Sequence, residues 1–269
     1  MQPEHQMFGD AYTPSEIAKR VLNMGVTKAR AETLTLLVLA ILAGAFIALG
    51  GLFYTVVVTD SVMGFGITRF FGGLSFCLGL ILVVIGGAEL FTGNNLLVMA
   101  WAGKQITTRE VLRNWSIVYI GNIIGAIIVA GMVYYADTAS LADGSVRKTL
   151  LSIALTKSNL SFTIGFTRGV LCNMLVCLAV WLAMGGHSVT DKILAIIFPV
   201  TAFVVLGFEH SVANWFFLPL GMMLDDGQLI SYSEAIRNLI SVTLGNIAGG
   251  SLLVAGVYWV AYLRNEDKK

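Results

Sequence analysis

The 269-residue chain carries little charge: 12% of its residues are charged, 57% are hydrophobic, and the formal net charge is +1. Soluble domains carry about 25% charged residues, so this composition excludes an ordinary water-exposed surface and favours a lipid-exposed one. A net charge this close to zero also excludes nucleic-acid binding by bulk electrostatics. The three cysteines, Cys77, Cys172 and Cys177, lie in apolar runs and are expected to be small buried hydrophobes rather than disulfides or metal ligands.

The hydrophobic runs predict an all-α integral membrane protein. A membrane helix needs about 20 residues, and six uncharged runs meet or approach this length: 33–59, 70–88, 114–136, 169–190, 193–208 and 238–263. Residues 1–31 are polar, and the run that follows them is too long for a signal peptide. We expect a cytoplasmic N-terminal segment at 1–31, a six-helix membrane domain at 32–264 and a cytoplasmic tail at 265–269.

The second and fifth spans are expected to be broken. Residues 70–103 are interrupted by Glu89 alone, and residues 193–224 by Glu209 and His210. At 1.5 Å per residue, either stretch as one straight helix would extend about 50 Å and exceed the bilayer core. Each is therefore predicted to break near the midplane, beside glycines, and to continue as a shorter half-helix that lines a cavity.

An internal repeat relates the two halves of the chain. The third span reads GNIIGA from residue 121 and the sixth reads GNIAGG from residue 245. At each break a glutamate precedes an asparagine by five residues: Glu89 and Asn94, then Glu209 and Asn214. Three spans per half require the halves to face opposite ways, which predicts a 3+3 inverted repeat around a transport site. Chance similarity of glycine-rich helices is the alternative for the helix match, but it does not explain both matches.

Basic residues predict the orientation of the spans. Eleven lysines and arginines fall on the side of the two termini, against five on the opposite side. Cytoplasmic connections carry the excess of basic residues, so both termini are expected in the cytoplasm.

Ionisable groups within the membrane are candidates for function because they are costly to place there. They are Glu89, Arg168, Glu209 and His210. The imidazole of His210 can exchange a proton near neutral pH, which suits contact with an anion; a neutral ring bonded to a backbone carbonyl is the alternative. The glutamates are expected to accept hydrogen bonds from backbone amides opened by the breaks. Arg168 either attracts anions or pairs with a carboxylate.

Other chemistry has less support in the sequence. Thr92, Asn94 and Asn173 lie within reach of a pathway, although such residues often serve only helix–helix contacts. The sequence contains no His-x-x-x-His pair, cysteine-ligand cluster or glycine-rich phosphate loop. Ser211 directly follows His210, so a serine–histidine dyad is not expected. We expect a transporter without metal or cofactor, and a membrane-embedded enzyme using the carboxylate and imidazole of the second break is the alternative of another class.

Three segments resemble signatures of the formate/nitrite transporter family, which includes formate, nitrite and hydrosulfide channels. They read GAELFTGN at residues 87–94, LCNMLVC at 171–177 and GFEHSVAN at 207–214. The resemblance extends over about residues 13–264 and is closest to formate channels of the FocA type. It implies an aquaporin-like six-helix protomer in a bacterial-type inner membrane and a homopentamer with one pore per protomer.

The resemblance also implies roles for particular residues. In the family, a loop in the broken second span places a threonine against a central histidine, which here are Thr92 and His210, with Asn173 beside them. Residues 12–29 resemble a cytoplasmic helix implicated in pH-dependent gating. The family has two apolar constrictions. The one on the cytoplasmic side matches Phe76 and Leu80, and the one on the periplasmic side matches Leu90 and Phe203.

Two dry constrictions would oppose the passage of an anion. Moving a bare carboxylate into an apolar medium costs on the order of tens of kcal/mol, whereas protonating an acid of pKa about 4 at pH 7 costs roughly 4 kcal/mol. We therefore expect formate to be drawn in by charge, to receive a proton at or through His210, and to cross as the neutral acid. Nitrite or hydrosulfide is the alternative within the family. A water channel is disfavoured because both breaks lack an Asn-Pro-Ala signature.

Overall fold

The computed structural model describes residues 11–225 and 229–264, and the regular elements within this range are helical. The tail at 265–269 and the first ten residues of the N-terminal segment lie outside it. The α-helices are α1 Pro14–Ala29, α2 Thr33–Val58, α3 Phe65–Gly86, α4 Val98–Ala102, α5 Thr108–Tyr135, α6 Ser145–Ser158, α7 Phe162–Met184, α8 Val189–Val205, α9 Ser211–Leu224 and α10 Tyr232–Ala248. Short 3₁₀ turns occupy Gly93–Leu97 and Thr138–Ser140, and α10 continues as the π-helical segments Gly249–Gly256 and Trp259–Leu263.

Five of these helices are long and apolar enough to cross a membrane: α2, α3, α5, α7 and α10 with its π-helical continuation. Helices α8 and α9 contain 17 and 14 residues, respectively. Large apolar side chains cover the outward faces of the bundle. Contact with water would be unfavourable for them, whereas contact with lipid would not be. The prediction of an all-helical membrane protein is confirmed.

Four of the long helices, α3, α5, α7 and α10, begin several residues before the uncharged runs in the sequence. Helix α5 starts with a capping box in which Thr107 accepts the N–H of Glu110, and the Glu110 carboxylate accepts the N–H of Thr107. Ser231 and Glu234 form the same motif at the start of α10. Such polar first turns satisfy backbone donors that have no partner within the helix, so charged residues that bound an apolar run belong to the helix itself.

Two helix pairs pack with their backbones in direct contact. A β-carbon added at Gly125 of α5 would lie 1.9 Å from the carbonyl oxygen of Ile41 in α2. A β-carbon at Gly249, where α10 passes into its π-helical segment, would lie 2.1 Å from the carbonyl oxygen of Val170 in α7. Small residues permit this approach between membrane helices, and it holds α2 against α5 and α7 against α10.

Both expected breaks are present, and each contains a glycine in the left-handed region. Helix α3 ends at Gly86, and Gly87 has φ +79°; α8 ends at Val205, and Gly207 has φ +72°. Glycine adopts this conformation at little cost because it has no β-carbon. The chain resumes as the Gly93–Leu97 turn after the first break and as α9 after the second. Helix α1 packs against the first of these segments and α6 against the second.

Candidate functional site

A buried ionic cluster anchors the first break. The Glu89 carboxylate lies 3.0 Å from the ammonium of Lys28 in α1 and accepts a hydrogen bond from Asn94 Nδ2 at 2.7 Å. Asn94 also donates to Asn114 Oδ1, and Asn114 donates to the Lys28 carbonyl oxygen, each at 3.0 Å. These contacts close a ring that joins α1, the break and α5, so the carboxylate is both neutralised and positioned.

The second break has a cluster of the same composition. Both carboxylate oxygens of Glu209 lie 3.0 Å from the ammonium of Lys157 in α6, and Asn214 Nδ2 donates to one of them at 2.7 Å. Asn214 donates to Asn238 Oδ1 at 2.7 Å, and Asn238 donates to the Lys157 carbonyl oxygen at 2.8 Å. Glu89 and Glu209 were expected to accept backbone amides, but their partners are lysine and asparagine side chains.

A buried asparagine holds the backbone at each break. Asn122 donates to the carbonyl oxygens of Ala40 and Glu89 and accepts the N–H of Phe91, at 2.7–2.9 Å. Asn246 makes the corresponding bonds to the carbonyl oxygens of Gly169 and Glu209 and to the N–H of Ser211, at 2.8–3.0 Å. Each asparagine satisfies backbone groups that the interrupted helix leaves open, as any backbone at membrane depth requires.

Between the two breaks, Thr92 and His210 meet in the interior. Both are buried, and His210 Nε2 lies 2.9 Å from Thr92 Oγ1. His210 caps α9, because its Nδ1 accepts the N–H of Ala213 at 3.2 Å. An accepting Nδ1 places the proton of a neutral ring on Nε2, so Nε2–H donates to the threonine hydroxyl. That hydroxyl retains its own hydrogen for a further acceptor.

Several donors converge on the main-chain carbonyl oxygen of Thr92. Asn173 Nδ2 lies 3.2 Å from it, Asn95 Nδ2 3.3 Å and Cys177 Sγ 3.4 Å. Asn173 also donates to the Asn246 carbonyl oxygen at 2.7 Å, while its buried Oδ1 has no donor among the described residues. Asn173 therefore lies beside the threonine, and it links the first break to the asparagine that holds the second.

The four apolar residues expected at constrictions come together in pairs other than those expected. The rings of Phe76 and Phe203 are edge to face with centroids 5.7 Å apart, and Phe203 stacks on His210 at 6.1 Å. Leu80 and Leu90 instead line one cavity of about 170 Å³, on the α1 side of the break. Phe76 and Leu80 are one helical turn apart, so they lie about 6 Å apart in depth and belong to different levels.

Arg168 is tied to the second break through its backbone. Its carbonyl oxygen accepts the N–H of Glu209 at 3.3 Å. The ion pairs within residues 11–225 and 229–264 do not include its guanidinium. Pairing with a carboxylate, one of its two expected roles, is therefore not seen in this part of the chain.

Seven polar residues of the site were not predicted, one of them Asn95, which lies in the turn after the first break. Lys28 and Lys157 lie outside the apolar runs and were counted only toward orientation, and Asn114, Asn122, Asn238 and Asn246 lie in helices. A signal was available, because Lys28 and Lys157 are 129 residues apart and each stands near the end of a short polar helix, α1 or α6. The repeated pattern extends beyond the apolar spans to these two helices.

A multi-pass helical membrane protein with a buried polar centre between apolar side chains has the architecture of a transport protein. Comparison with known proteins agrees. The family model described as "Formate/nitrite transporter" matches residues 15–260. The chain is 38% identical to "Formate channel FocA" of Escherichia coli strain K12 over 276 residues, covering 96% of this chain and 97% of that protein.

Solved structures give the same assignment. A "Pentameric formate channel with formate bound" matches with TM-score 0.79 and 38% identity, covering 86% of this chain and 98% of that one. An "FNT family ion channel" matches with TM-score 0.84 and 29% identity, covering 92% and 99%. The chain belongs to the formate/nitrite transporter family. Its relatives are channels and transporters, so the expectation that it is not an enzyme is confirmed.

Proposed function

We propose that this protein is a channel for small monovalent anions whose principal substrate is formate, and that passage is linked to protons. The observation that carries the proposal is the buried pair of Thr92 and His210, with Phe203 stacked on the imidazole and Phe76 packed against Phe203. Identity to formate channels over nearly the whole chain supports the substrate. Nitrite and hydrosulfide are the other substrates to be tested.

The proposed architecture is an aquaporin-like 3+3 inverted repeat with six spans, the second and fifth of them broken. Equivalent hydrogen bonds at Asn122 and Asn246 support the repeat. We further propose that both termini are cytoplasmic, that the protein lies in the inner membrane, and that five copies assemble with one pathway each. The pentameric formate channel supports the last point. Helix α1 lines the cavity that contains Leu80 and Leu90, which suits a gating element.

The pathway is proposed to have two apolar levels around one polar level. Leu80 and Leu90 form the level on the α1 side, and Phe76 and Phe203 form the level next to His210. The ammonium groups of Lys28 and Lys157 are close to the pathway on opposite sides of the centre, and each is partly compensated by a glutamate. Their positive potential would attract an anion, and Arg168 would add to it on the α6 side.

Protonation is proposed to occur at the polar level. A formate oxygen within reach of Thr92 would accept its hydroxyl hydrogen, and His210 Nε2–H would stabilise the threonine oxygen. The proton that neutralises the anion comes from water, either directly or by way of Nε2, whose own proton is then replaced from water so that the ring is neutral before and after. Asn173 Oδ1, which has no donor among the described residues, can accept the resulting acid O–H. At about 4 kcal/mol near pH 7, protonation costs far less than moving a bare carboxylate past apolar side chains.

The test is uptake into proteoliposomes of formate, nitrite, hydrosulfide, acetate and lactate across a pH series. Formate uptake should rise as pH falls. His210→Asn is the informative variant because asparagine can still cap α9, so the helix is retained while the imidazole is lost. We expect an altered pH profile and a formate rate reduced by at least about ten-fold, which corresponds to the loss of roughly 1.4 kcal/mol.

Two controls separate structure from chemistry. Thr92→Ser keeps the hydroxyl and should transport nearly as well as the wild type, whereas Thr92→Val should not. If His210→Asn carries formate at the wild-type rate with an unchanged pH profile, the role given to the imidazole is wrong. If nitrite or hydrosulfide alone is taken up, the substrate assignment is wrong.

A further inference from the structure

A groove on the α1 end of the molecule combines aromatic and basic side chains and takes no part in the transport site. It has a volume of about 760 Å³, and its lining includes Arg30, Trp101, Lys104, Thr108, Glu110 and Trp259. A smaller cavity of about 230 Å³, lined in part by Lys19, Leu22 and Leu263, shares Gln105 and Trp259 with it. We refer to the two together as the Trp259 groove.

The Trp259 groove lies where several helices end together. Helix α4 ends at Ala102, α5 begins at Thr108, and the last described helical segment is Trp259–Leu263. Trp101 is 46% exposed. Tryptophans concentrate at the level of lipid headgroups, where an apolar ring with one polar N–H is best accommodated. The groove is therefore placed at a membrane–water interface.

The charges of the groove are not balanced among the described residues. The guanidinium of Arg30 is compensated by Glu110, with Nε 3.2 Å from Oε1, and it also donates to the Gln105 carbonyl oxygen at 2.9 Å. The ion pairs in the described range leave Lys104 without a carboxylate. The N-terminus of the 28-residue helix α5 adds a partial positive charge beside it. The site thus suits a singly charged anionic group.

Lys104 occupies a backbone position that favours glycine. Its φ is +55°, and it closes α4 by a Schellman motif in which Gln105 N–H donates to Ala100 O at 2.9 Å and Lys104 N–H donates to Trp101 O at 3.0 Å. A left-handed residue with a β-carbon costs stability relative to glycine. A lysine at this position is accordingly explained better by its ammonium group than by the turn.

The indole of Trp259 supplies a second polar group. Its Nε1 is buried and has no hydrogen-bond acceptor among the described residues. It faces Gly103, where an added β-carbon would lie 3.6 Å away. A buried donor without an acceptor is costly, and a small shift of the indole would bring Nε1 within reach of a ligand oxygen in the groove and remove that cost.

We propose that the Trp259 groove binds the phosphate headgroup of an anionic phospholipid, with Lys104 as the cationic contact and Trp259 as a neutral donor. A phosphodiester bears one negative charge, which matches the ammonium of Lys104, left without a carboxylate by the ion pairs of the described residues. The apolar surfaces of Trp101, Leu22 and Leu263 would contact the glycerol and the first acyl carbons, an advantage that free phosphate lacks. By the proposed orientation the groove faces the cytoplasmic leaflet, where basic pockets between helices recruit anionic headgroups.

The test is native mass spectrometry of the purified full-length protein with phosphatidylglycerol or phosphatidylcholine of matched acyl chains. The wild type should retain phosphatidylglycerol preferentially. Lys104→Gly should lower that preference by about five-fold, as the loss of one interfacial lysine predicts, while thermal stability is unchanged or higher because the strained turn is relieved. Trp259→Phe should lower lipid retention by a smaller factor.

Lys192→Gln is the matched control, since it removes a lysine of α8 that does not line the groove. The proposal is overturned if the wild type shows no headgroup preference, or if Lys104→Gly keeps the wild-type preference. It is equally overturned if Lys192→Gln reduces the preference as much as Lys104→Gly does, because the effect is then general surface charge. Full displacement of phosphatidylglycerol by millimolar inorganic phosphate would assign the groove to a soluble anion and refute the lipid.

Discussion

The two breaks share a scaffold but differ in the groups that they present to the centre. In each, a lysine, a glutamate and two asparagines form one cluster, and a further asparagine binds the open backbone. With the breaks aligned at an offset of 120 residues, Leu90 corresponds to His210 and Thr92 corresponds to Val212. Each break thus contributes one polar side chain where the other has an aliphatic one.

The residues that the two breaks share serve stability, whereas the residues in which they differ serve transport. The repeated residues neutralise charge and satisfy backbone groups in a medium that offers no water, so they must be present at both breaks. The threonine and the histidine need to occur only once, because they meet each other across the centre. The comparison predicts that variants in the scaffold act similarly in the two halves and lower stability, whereas variants at the centre change transport.

The largest effect is expected where the helix backbones touch. Gly125→Ala and Gly249→Ala would each place a methyl group about 2 Å from a carbonyl oxygen, so the paired helices must separate. Overpacking that side chains can absorb costs about 1–3 kcal/mol. Here the methyl group meets a backbone carbonyl that cannot move aside, so the cost should exceed that of any single lost ion pair. We expect loss of the folded protein in both variants, measured by fluorescence-detected size exclusion after heating.

Gly131→Ala is the control for this experiment, since a β-carbon at Gly131 meets no atom within 4 Å. It should leave the elution profile unchanged. A wild-type profile for either Gly125→Ala or Gly249→Ala would show that the two halves are not equally constrained.

A smaller effect, unequal between the halves, is expected at the glutamates. Glu209→Gln leaves Lys157, whose side chain is 14% exposed, without its counter-charge; Glu89→Gln leaves Lys28, which is 22% exposed. Breaking a buried ion pair costs about 3–5 kcal/mol. Because Lys28 is less buried than Lys157, Glu89→Gln should lose less stability than Glu209→Gln. The thermal midpoint in detergent should therefore fall further for Glu209→Gln.

The double variant Glu209→Gln/Lys157→Met checks the cause, because it removes the stranded charge. It should recover part of the lost stability. If the double variant is as unstable as the single one, the lysine–glutamate contact is not what holds the second break.

The smallest effect is expected at a contact that exists at the first break alone. Ser251 Oγ, in the π-helical segment, donates to Asn95 Oδ1 at 2.9 Å, and Asn95 supports the Thr92 carbonyl oxygen. The residues that correspond to Asn95 and Ser251 in the other half are Trp215 and Ile127. Ser251→Ala should cost about 1 kcal/mol and modestly lower formate uptake.

Ser75→Ala is the comparison variant. Among the described residues, its hydroxyl donates to the Gly72 carbonyl oxygen within its own helix, so uptake should stay at the wild-type level. If both variants lose uptake equally, the π-helical segment has no particular role in transport.

The sequence by itself determined which segments are apolar helices, where two of them break, and which motifs recur in the two halves. These features are readable because each helix in lipid must satisfy its own backbone, so length and hydrophobicity report it locally. Glu89, Glu209 and His210 were singled out for the same reason, as polar groups interrupting apolar runs.

Only the tertiary structure decided which side chains meet. Lys28 and Glu89 are 61 residues apart and Lys157 and Glu209 are 52 apart, and no local pattern joins them. The pairing of Phe76 with Phe203, and of Leu80 with Leu90, depends on the depth and rotation of α3 against the breaks. Close packing at glycine helps to set those quantities, since a β-carbon at Gly73 of α3 would lie 2.9 Å from the carbonyl oxygen of Thr201 in α8. One helical turn moves a side chain about 6 Å from one level of the pathway to the next.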